Sequence, residues 1–245
     1  MKIVDIKGLI ISETNYNDSS KILNVLTAEY GLIGILSKGC RNLRSKLRGS
    51  SRKLVYGTFH LYYKEKGLST LISIDVISDF PKTVMDLEKV LYASYLLDLT
   101  RQVEKQTNEK NILNLIVASL SKIEEGLNPQ VITNILELKY LDFLGVSPIL
   151  TGCAICGSTN NIVSLSDTAG GFICSNCYRN EGYYSSKAIK LLQMYYYLDL
   201  SKITKIDINT KVNDEITKFL DNYYDRYTGI YLNSKKMLKN LAKLK

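Results

Sequence analysis

The stretch Leu54-Val-Tyr-Gly-Thr-Phe-His-Leu-Tyr-Tyr63, continued through a glycine by Leu68-Ser-Thr-Leu-Ile-Ser-Ile-Asp-Val76, decides the fold class of the N-terminal part of the chain. Its apolar residues recur two or four positions apart, as in Phe59 and Leu61, and this alternation is the period of a half-buried strand. Gly67 suits the tight turn between the two runs. The stretch therefore predicts a pair of adjacent strands.

The residues before this pair continue the strand pattern. Apolar and β-branched runs predict further strands over residues 3–12, 21–27 and 32–36, so the N-terminal part holds five strands in total. The links are short, except for the connection from Gly39 to Lys53. Five short strands of this kind indicate a small closed or sandwich-like β structure.

The hydrophobic period changes at Pro81 from two to about three and a half, which is typical of amphipathic helices. Helices are predicted over residues 84–98, 112–123, 131–143, 187–198, 214–227 and 234–245. The sequence thus predicts a multi-domain α+β chain, with a β domain over residues 1–80 and a helical domain over residues 81–245. A stripe of tyrosines between residues 216 and 227 fits a buried core better than a base-stacking platform.

Positive charge is concentrated at the two ends of the chain. The 245 residues carry a net charge of +8, of which residues 1–80 contribute +5 and residues 183–245 contribute +6. No acidic residue lies between Glu29 and Glu65, and this interval includes Lys38, Arg41, Arg44, Lys46, Arg48 and Arg52. An all-basic stretch in the longest link favours contact with phosphates over a merely solvated loop, which remains the alternative.

The cysteines form two Cys-x-x-Cys pairs and one single residue. Cys153 and Cys156 are separated by 17 residues from Cys174 and Cys177, while Cys40 lies alone in the basic stretch. This spacing is typical of a structural zinc site, in which four thiolates surround one Zn²⁺ and leave no open position for chemistry. Two redox-active pairs, four free thiols or a site that folds without metal are the alternatives. We expect one structural Zn²⁺ in a module at residues 150–180.

Several classes of protein are disfavoured. No apolar run approaches the roughly 18 residues of a membrane span, and Asp5 falls where a signal peptide would be apolar. A phosphate-binding Gly-x-x-x-x-Gly-Lys-Ser/Thr loop is missing, and His60 is the only histidine. We therefore expect a cytoplasmic binding protein rather than an enzyme. A hydrolase that uses His60 is the weaker alternative.

Three stretches of the chain resemble the RecO family of bacterial recombination mediators. The first runs from Thr27 through Gly39 to Lys46, and the second from Leu141 to Cys156, with Gly170-Gly-Phe-Ile-Cys174 after it. The third is Tyr231-Leu-Asn-Ser-Lys-Lys-Met-Leu238. They follow one another in the expected order over nearly the whole chain, which is more specific than any one of them alone.

The resemblance implies an N-terminal five-stranded OB-fold barrel and an all-α domain that carries the zinc module. It also implies binding of single- and double-stranded DNA and annealing of complementary strands. With RecR, such a protein helps to load RecA onto DNA coated by the single-stranded-DNA-binding protein, whose acidic C-terminal tail recruits it. We expect the protein in the bacterial cytoplasm, associated with the nucleoid.

OB-folds bind single strands through a basic groove and aromatic stacking. The expected phosphate contacts are Lys38, Arg41, Arg44, Lys46, Arg48 and Arg52. Tyr62 is the expected stacking residue because it faces away from Leu61 and Tyr63 on its strand, whereas Phe59 is expected in the core. An OB-fold RNA-binding or translation-associated zinc protein would share the same charge and fold, and it is the alternative function.

Overall fold

The computed structural model describes residues 2–242, except for residues 108, 181, 183 and 207. Its N-terminal part is a closed barrel with the strand order β1-β2-β3-β5-β4, in which β4 pairs back with β1. The strands are β1 (Lys2–Tyr16), β2 (Ser20–Thr27), β3 (Gly31–Ser37), β4 (Tyr56–Tyr63) and β5 (Ser69–Ser78). Only the β3–β5 pair is parallel among these strands.

Closure depends on the length of β1, which pairs with two strands in succession. Its first half runs against β4, from Lys2 opposite Tyr63 onward, and its second half runs against β2 as far as Tyr16. The two ladders overlap at Gly8 and Leu9. A Cβ at Gly8 would lie 2.5 Å from Val25 Cγ1, so only glycine fits where the strands crowd together.

The inward residues of all five strands form one apolar core. Phe59 and Leu61, which the alternation assigned to one face of β4, are fully buried, and this confirms the expected core position of Phe59. The other buried members of the cluster are Ile6, Ile10, Leu23, Val25, Ile35, Val55 and Leu71. The described strands extend beyond the predicted ones, since β1 continues to Tyr16.

Three helices follow the barrel: α1 (Pro81–Met85), α2 (Leu87–Glu104) and α3 (Ile112–Glu124). The carboxylate of Glu124 accepts hydrogen bonds from the backbone N–H groups of Lys82 and Thr83, at 2.9 and 2.8 Å. These N–H groups belong to the first turn of α1 and have no partner within the helix. The contact therefore fastens the end of α3 to the start of α1.

The second part of the chain combines helices with a small sheet. Its helices are α4 (Pro129–Phe143), α5 (Ser186–Tyr197), α6 (Thr210–Tyr227) and α7 (Asn233–Ala242), with a short 3-10 helix at Leu200–Lys202. Between α4 and α5 lie β6 (Ile149–Cys153), β7 (Ile162–Ser166) and β8 (Gly171–Cys174) in the order β6-β8-β7. The described chain is thus mixed α+β, and the part predicted as all-α contains a sheet around its cysteines.

The change from strand to helix falls at Pro81, as the period predicts. Spatial contacts group the chain into two compact units, Met1–Glu124 and Glu125–Lys245, so α1 to α3 group with the barrel. The predicted last helix is described as far as Ala242, and residues 243–245 lie outside the described part. The tyrosine stripe is a core feature, because Tyr223 and Tyr224 are buried in α6.

A buried ion-pair cluster joins three helices of the second unit. Lys235 of α7 places its Nζ 2.7 Å from Oε1 of Glu137 in α4 and 2.6 Å from Oδ1 of Asp221 in α6. Glu137 is only 1% exposed. Burial works against the charge of Lys235, but attraction to Glu137 and Asp221 outweighs it and raises the pKa of the ammonium. The side chain of Lys235 therefore stabilises the fold through these two ion pairs.

We expect Lys235→Met to lower the free energy of unfolding by about 3–5 kcal/mol, because it removes the ammonium that compensates the buried charge of Glu137. Lys236→Met is the matched control, since its exposed side chain should change stability by less than about 0.5 kcal/mol. Urea denaturation followed by circular dichroism measures both. Equal stability of the two variants would contradict a structural role for the cluster.

Candidate nucleic-acid interface and candidate metal centre

The basic stretch between β3 and β4 is a chain of turns, with neither helix nor strand from residue 38 to residue 55. Successive backbone hydrogen bonds hold the turns, from Asn42 N–H to the Gly39 carbonyl at 3.1 Å and from Ser45 N–H to the Asn42 carbonyl at 3.1 Å. We call residues 38–53 the basic loop. Its backbone conformation is thus defined by local hydrogen bonds.

Buried residues anchor the basic loop on the barrel. Cys40 is 2% exposed and Ser51 is fully buried, with its hydroxyl 2.8 Å from that of Ser37 at the end of β3. Leu47 packs against the barrel core. Cys40 thus has a packing role at the contact between the basic loop and the barrel.

An ion pair between β1 and β2 is a second anchor for the basic loop. Lys21 Nζ lies 2.9 Å from Oε1 of Glu13 and donates to the Ser51 carbonyl at 3.2 Å. The other oxygen of Glu13 accepts the backbone N–H of Lys53 at 3.0 Å. Sequence reasoning missed these anchors, because Glu13 and Lys53 lie 40 positions apart and no local pattern links them.

Arg41 fixes the basic loop to the turn between β1 and β2. Its backbone N–H donates to the Ser19 carbonyl at 2.8 Å, and its guanidinium donates to the Asn17 carbonyl at 3.1 Å. The side chain is nevertheless exposed. A guanidinium has five N–H donors, so most of them remain available for a phosphate.

The expected phosphate contacts all lie on the surface. Arg52 is already engaged in an ion pair with Asp79. Within the part of the chain that the structure describes, the remaining lysines and arginines of the set form no ion pair: Lys38, Arg41, Arg44, Lys46 and Arg48. A phosphate backbone would neutralise these charges, since the barrel itself does not.

Tyr62 lies on the outer side of the barrel and is 41% exposed. The strand registers place it opposite Thr70, which is opposite Leu36, and the row continues through Ile22 to Thr14. Directly paired residues point to the same side of a sheet, so this row lies on the outer surface of the closed barrel and runs round it; it is here called the barrel face. Lys38 follows Leu36 by two positions, and the barrel face therefore borders the basic loop.

His60 lies on β4 between two carboxylates of neighbouring strands. Its Nδ1 is 2.6 Å from Oδ1 of Asp5, and its Nε2 is 2.9 Å from Oδ2 of Asp75. A neutral imidazole donates only one hydrogen bond, so both contacts are donated only by the imidazolium. Hydrogen bonds to Asp75 and then to Asp5 raise the pKa of His60, and no serine or cysteine bonds to the ring in the described residues.

We expect this arrangement to make stability depend on pH. Because the folded pKa of His60 is raised, its contribution is complete below the unfolded pKa of about 6.5 and is lost as the pH rises through the folded pKa. Besides Asp5 and Asp75, the charged group nearest along the same side of β1 is Lys7. The unchanged protein should therefore lose more stability than His60→Gln between about pH 6 and pH 9, as measured by urea denaturation. Parallel profiles of stability against pH for the two proteins would refute this expectation.

The four paired cysteines converge at one edge of the small sheet. β6 and β8 run parallel, with Cys153 opposite Phe172, so Cys153 and Cys174 end neighbouring strands on the same side. The four sulfur atoms lie within 4.8 Å of one another, and those of Cys156 and Cys174 are 3.7 Å apart. Four Zn–S bonds of about 2.3 Å in a tetrahedron require sulfurs about 3.8 Å apart.

Tight turns present each pair of thiols. The Gly157 N–H donates to the Cys153 carbonyl at 2.8 Å, and the Cys177 N–H donates to the Cys174 carbonyl at 3.1 Å. Gly157 has a φ of 76°, a left-handed conformation that glycine adopts without strain. The sequence thus places a glycine where the first turn requires it.

The thiols influence one another. Backbone N–H groups, first that of Cys156 and then that of Cys174, lower the pKa of Cys153 to about 6. The side chain of Cys156 and burial raise the pKa of Cys177 to about 12. These residues could hold a metal ion, because a divalent cation stabilises neighbouring thiolates that otherwise repel one another.

The chain therefore combines a five-stranded barrel bearing an anchored basic loop with a helical unit bearing a four-cysteine cluster. None of the helices that the structure describes combines the length and the apolar character needed to cross a membrane. Two family models match: "Recombination protein O N terminal" over residues 1–80 and "Recombination protein O C terminal" over residues 84–236.

Similar proteins cover nearly the whole chain. A DNA repair protein RecO from Bacillus pumilus is 33% identical over 250 residues, covering 99% of this chain and 96% of its own length. The namesake from Listeria monocytogenes serotype 4b is 32% identical over 244 residues, with 97% and 94% covered. A third, from Bacillus velezensis, is 31% identical over 246 residues, with 98% and 95% covered. The chain belongs to the RecO family of DNA repair proteins.

Proposed function

We propose that this chain is a non-enzymatic recombination mediator whose barrel is an OB-fold. In this role it binds single- and double-stranded DNA and anneals complementary strands. The observation that carries the proposal is the basic loop, which is anchored at one edge of the barrel face with its free charges exposed to solvent.

The strand order supports the OB-fold. Five strands that close in the order β1-β2-β3-β5-β4, with a long link between β3 and β4, fit the five-stranded Greek-key barrel that binds oligonucleotides. The family models, which match on either side of residues 81–83, favour a boundary between functional domains at residue 80. The cysteine module at residues 150–180 belongs to the second domain in this division.

Annealing follows from charge neutralisation. Two DNA strands repel each other through their phosphates, and lysine and arginine side chains that bind one strand release its counterions and lower this repulsion. A second strand then approaches the exposed bases. No covalent step and no nucleotide hydrolysis is needed, so the proposal requires no catalytic residue.

Membership in a DNA repair family supports partners of the same pathway. We propose that the protein acts with RecR to load RecA onto DNA coated by the single-stranded-DNA-binding protein, whose acidic tail recruits it to the bacterial nucleoid. Lys235 is not available for such docking, because it is committed to Glu137 and Asp221. The exposed Lys236 remains available.

The triple variant Arg41→Ala, Arg44→Ala, Lys46→Ala tests the phosphate contact. We expect weaker binding to every DNA sequence, because phosphate contacts carry no sequence information. We also expect the slope of log K against log salt to become shallower by about 2, since each phosphate contact with a single strand contributes about 0.7. Fluorescence anisotropy at several salt concentrations measures both.

The matched control is Lys82→Ala, Lys105→Ala, Lys110→Ala, which removes the same charge from exposed positions in or next to the helices of the same unit. It should leave the salt slope unchanged. Equal slopes for the two triple variants would show that the basic loop is not the contact site.

Strand annealing on DNA coated by the single-stranded-DNA-binding protein, without ATP, tests the mediator activity itself. The unchanged chain should anneal the strands and the loop variant should not. Competition between single-stranded DNA and RNA of equal sequence separates this role from that of an RNA-binding protein. Preference for RNA together with absent annealing would refute the proposed function.

We propose that the four-cysteine cluster binds one Zn²⁺ with a structural role. The sulfur spacing, the two tight turns and the closed set of four thiolates support a tetrahedral site without an open position. When bound, the ion would hold the ends of β6 and β8 together. It would therefore stabilise the fold without contacting DNA.

We expect protein purified without chelator to contain one zinc per chain by elemental analysis. Cys174→Ser should lose the metal and lower the melting temperature, because it removes one ligand of four. Cys40→Ser is the control and should retain the full zinc content, since Cys40 is not part of the cluster. Metal-free protein with an unchanged melting temperature would contradict the proposal.

A further inference from the structure

The four paired cysteines differ in their exposure to solvent. Cys153 and Cys174 are buried, each with 2% of its surface exposed, and Cys177 is half-buried. Cys156 is the one exposed member of the cluster. A small reagent in solution therefore meets Cys156 first, while the surrounding chain covers the two buried thiols.

Cys156 and Cys174 are carried by segments of different kinds. Cys156 lies in the turn that follows β6, and the next residue is Gly157. Cys174 is the last residue of β8, which is the central strand of the small sheet. Their sulfur atoms are 3.7 Å apart. A small shift of Cys156 breaks no bond of the sheet, so the turn can adjust while β8 stays in place.

The sulfur of Cys153 is held by the backbone around it. It accepts hydrogen bonds from the N–H groups of Cys156, Cys174 and Ile155. Where all four sulfurs are thiolates, as around a divalent cation, such bonds make a thiolate less nucleophilic than its neighbours. An oxidised Cys156 is therefore attacked more readily by Cys174 than by Cys153, although Cys153 belongs to the same Cys-x-x-Cys pair.

We propose that Cys156 is a site of oxidation by hydrogen peroxide, and that the reaction ends in a disulfide between Cys156 and Cys174. The inference goes beyond DNA binding, and it rests on the proposed metal site, whose thiolates the reaction consumes. A small uncharged oxidant suits this site, because a cluster of thiolates repels anionic reagents.

The reaction balances in two steps. The thiolate of Cys156 attacks one oxygen of hydrogen peroxide, the O–O bond breaks, and a sulfenic acid and a hydroxide ion form. The thiolate of Cys174 then attacks the sulfur of the sulfenic acid, so the S–S bond forms and a second hydroxide ion leaves. The two sulfurs are oxidised, one peroxide is reduced by two electrons, and both hydroxide ions take protons from the buffer.

The geometry favours closure between the two pairs. The sulfurs of Cys156 and Cys174 need to approach from 3.7 Å to the length of a disulfide bond, about 2.05 Å. The two residues lie 18 positions apart, one in each Cys-x-x-Cys pair. The disulfide thus links the two pairs covalently. Only two thiolates then remain in the cluster, which is too few to enclose a zinc ion.

The position of the disulfide has a consequence for the small sheet. A bond from Cys156 to Cys174 keeps the end of β8 attached to the turn after β6, so the module retains a link after the metal has left. Disulfides within each Cys-x-x-Cys pair would leave the two pairs unconnected. Thiols reverse either product by exchange.

Disulfide mapping of the full chain after treatment with hydrogen peroxide tests the inference. Free thiols are blocked with iodoacetamide, and the denatured chain is cleaved before aspartate residues. This cleavage separates the two cysteine pairs, because Asp167 lies between them. We expect one disulfide that joins the two fragments, with Cys153 and Cys177 alkylated, as read by mass spectrometry under non-reducing conditions.

Release of zinc is measured in parallel with a metallochromic indicator. One zinc ion should appear for each disulfide formed, and dithiothreitol with added zinc should restore the loaded protein. Disulfides within each pair, or zinc release without any disulfide, would overturn the inference and leave the proposed zinc site intact. Protein without zinc before treatment would refute the proposed zinc site instead, while its disulfide map still decides the pairing.

Cys174→Ala removes the sulfur that resolves the sulfenic acid of Cys156. This variant should lose the disulfide and gain a dimedone adduct on Cys156, because dimedone labels sulfenic acids. Cys40→Ala is the matched control and should behave as the unchanged chain, since Cys40 is buried outside the cluster. Dimedone on Cys153 or Cys177 but not on Cys156 would contradict the inference. If Cys174→Ala does not fold, the map of the unchanged chain decides.

Discussion

The double pairing of β1 is the constraint on which the barrel depends. One strand of 15 residues completes the ladder with β4 in its first half and with β2 in its second, so no edge of the barrel remains open between them. The registers of β5 with its two neighbours then bring Tyr62 of β4 into line with Leu36 near the end of β3, where the basic loop begins.

Contacts with β1 and β2 fix the conformation of the basic loop. Glu13 and Lys21 are charged residues in strands, yet they bind the backbone of Ser51 and Lys53 rather than solvent alone. Because these anchors occupy carbonyl and N–H groups of the loop, the backbone that carries its lysines and arginines is fixed before any ligand binds. A preorganised loop loses less conformational entropy on binding.

Much of this architecture could be predicted from the sequence, and the remainder shows where local patterns end. Alternation in residues 54–76 revealed two strands and the burial of Phe59, and cysteine spacing revealed a cluster whose members do meet. The sheet of the cysteine module was missed, because β8 has four residues and its partner β6 is parallel and distant. The anchors of the loop and the role of Lys235 were missed because they join residues far apart in sequence. Local periodicity does not encode such contacts.

The Glu137–Lys235 contact has a consequence for synthesis of the chain. It joins residues 98 positions apart, and the second unit starts only at Glu125. The carboxylate of Glu137 is therefore made long before its partner exists, whereas the barrel has all its strands once residue 78 is available. During synthesis on the ribosome, the barrel can therefore close early. The second unit can form its buried ion pair only after α7, which carries Lys235, has been synthesised.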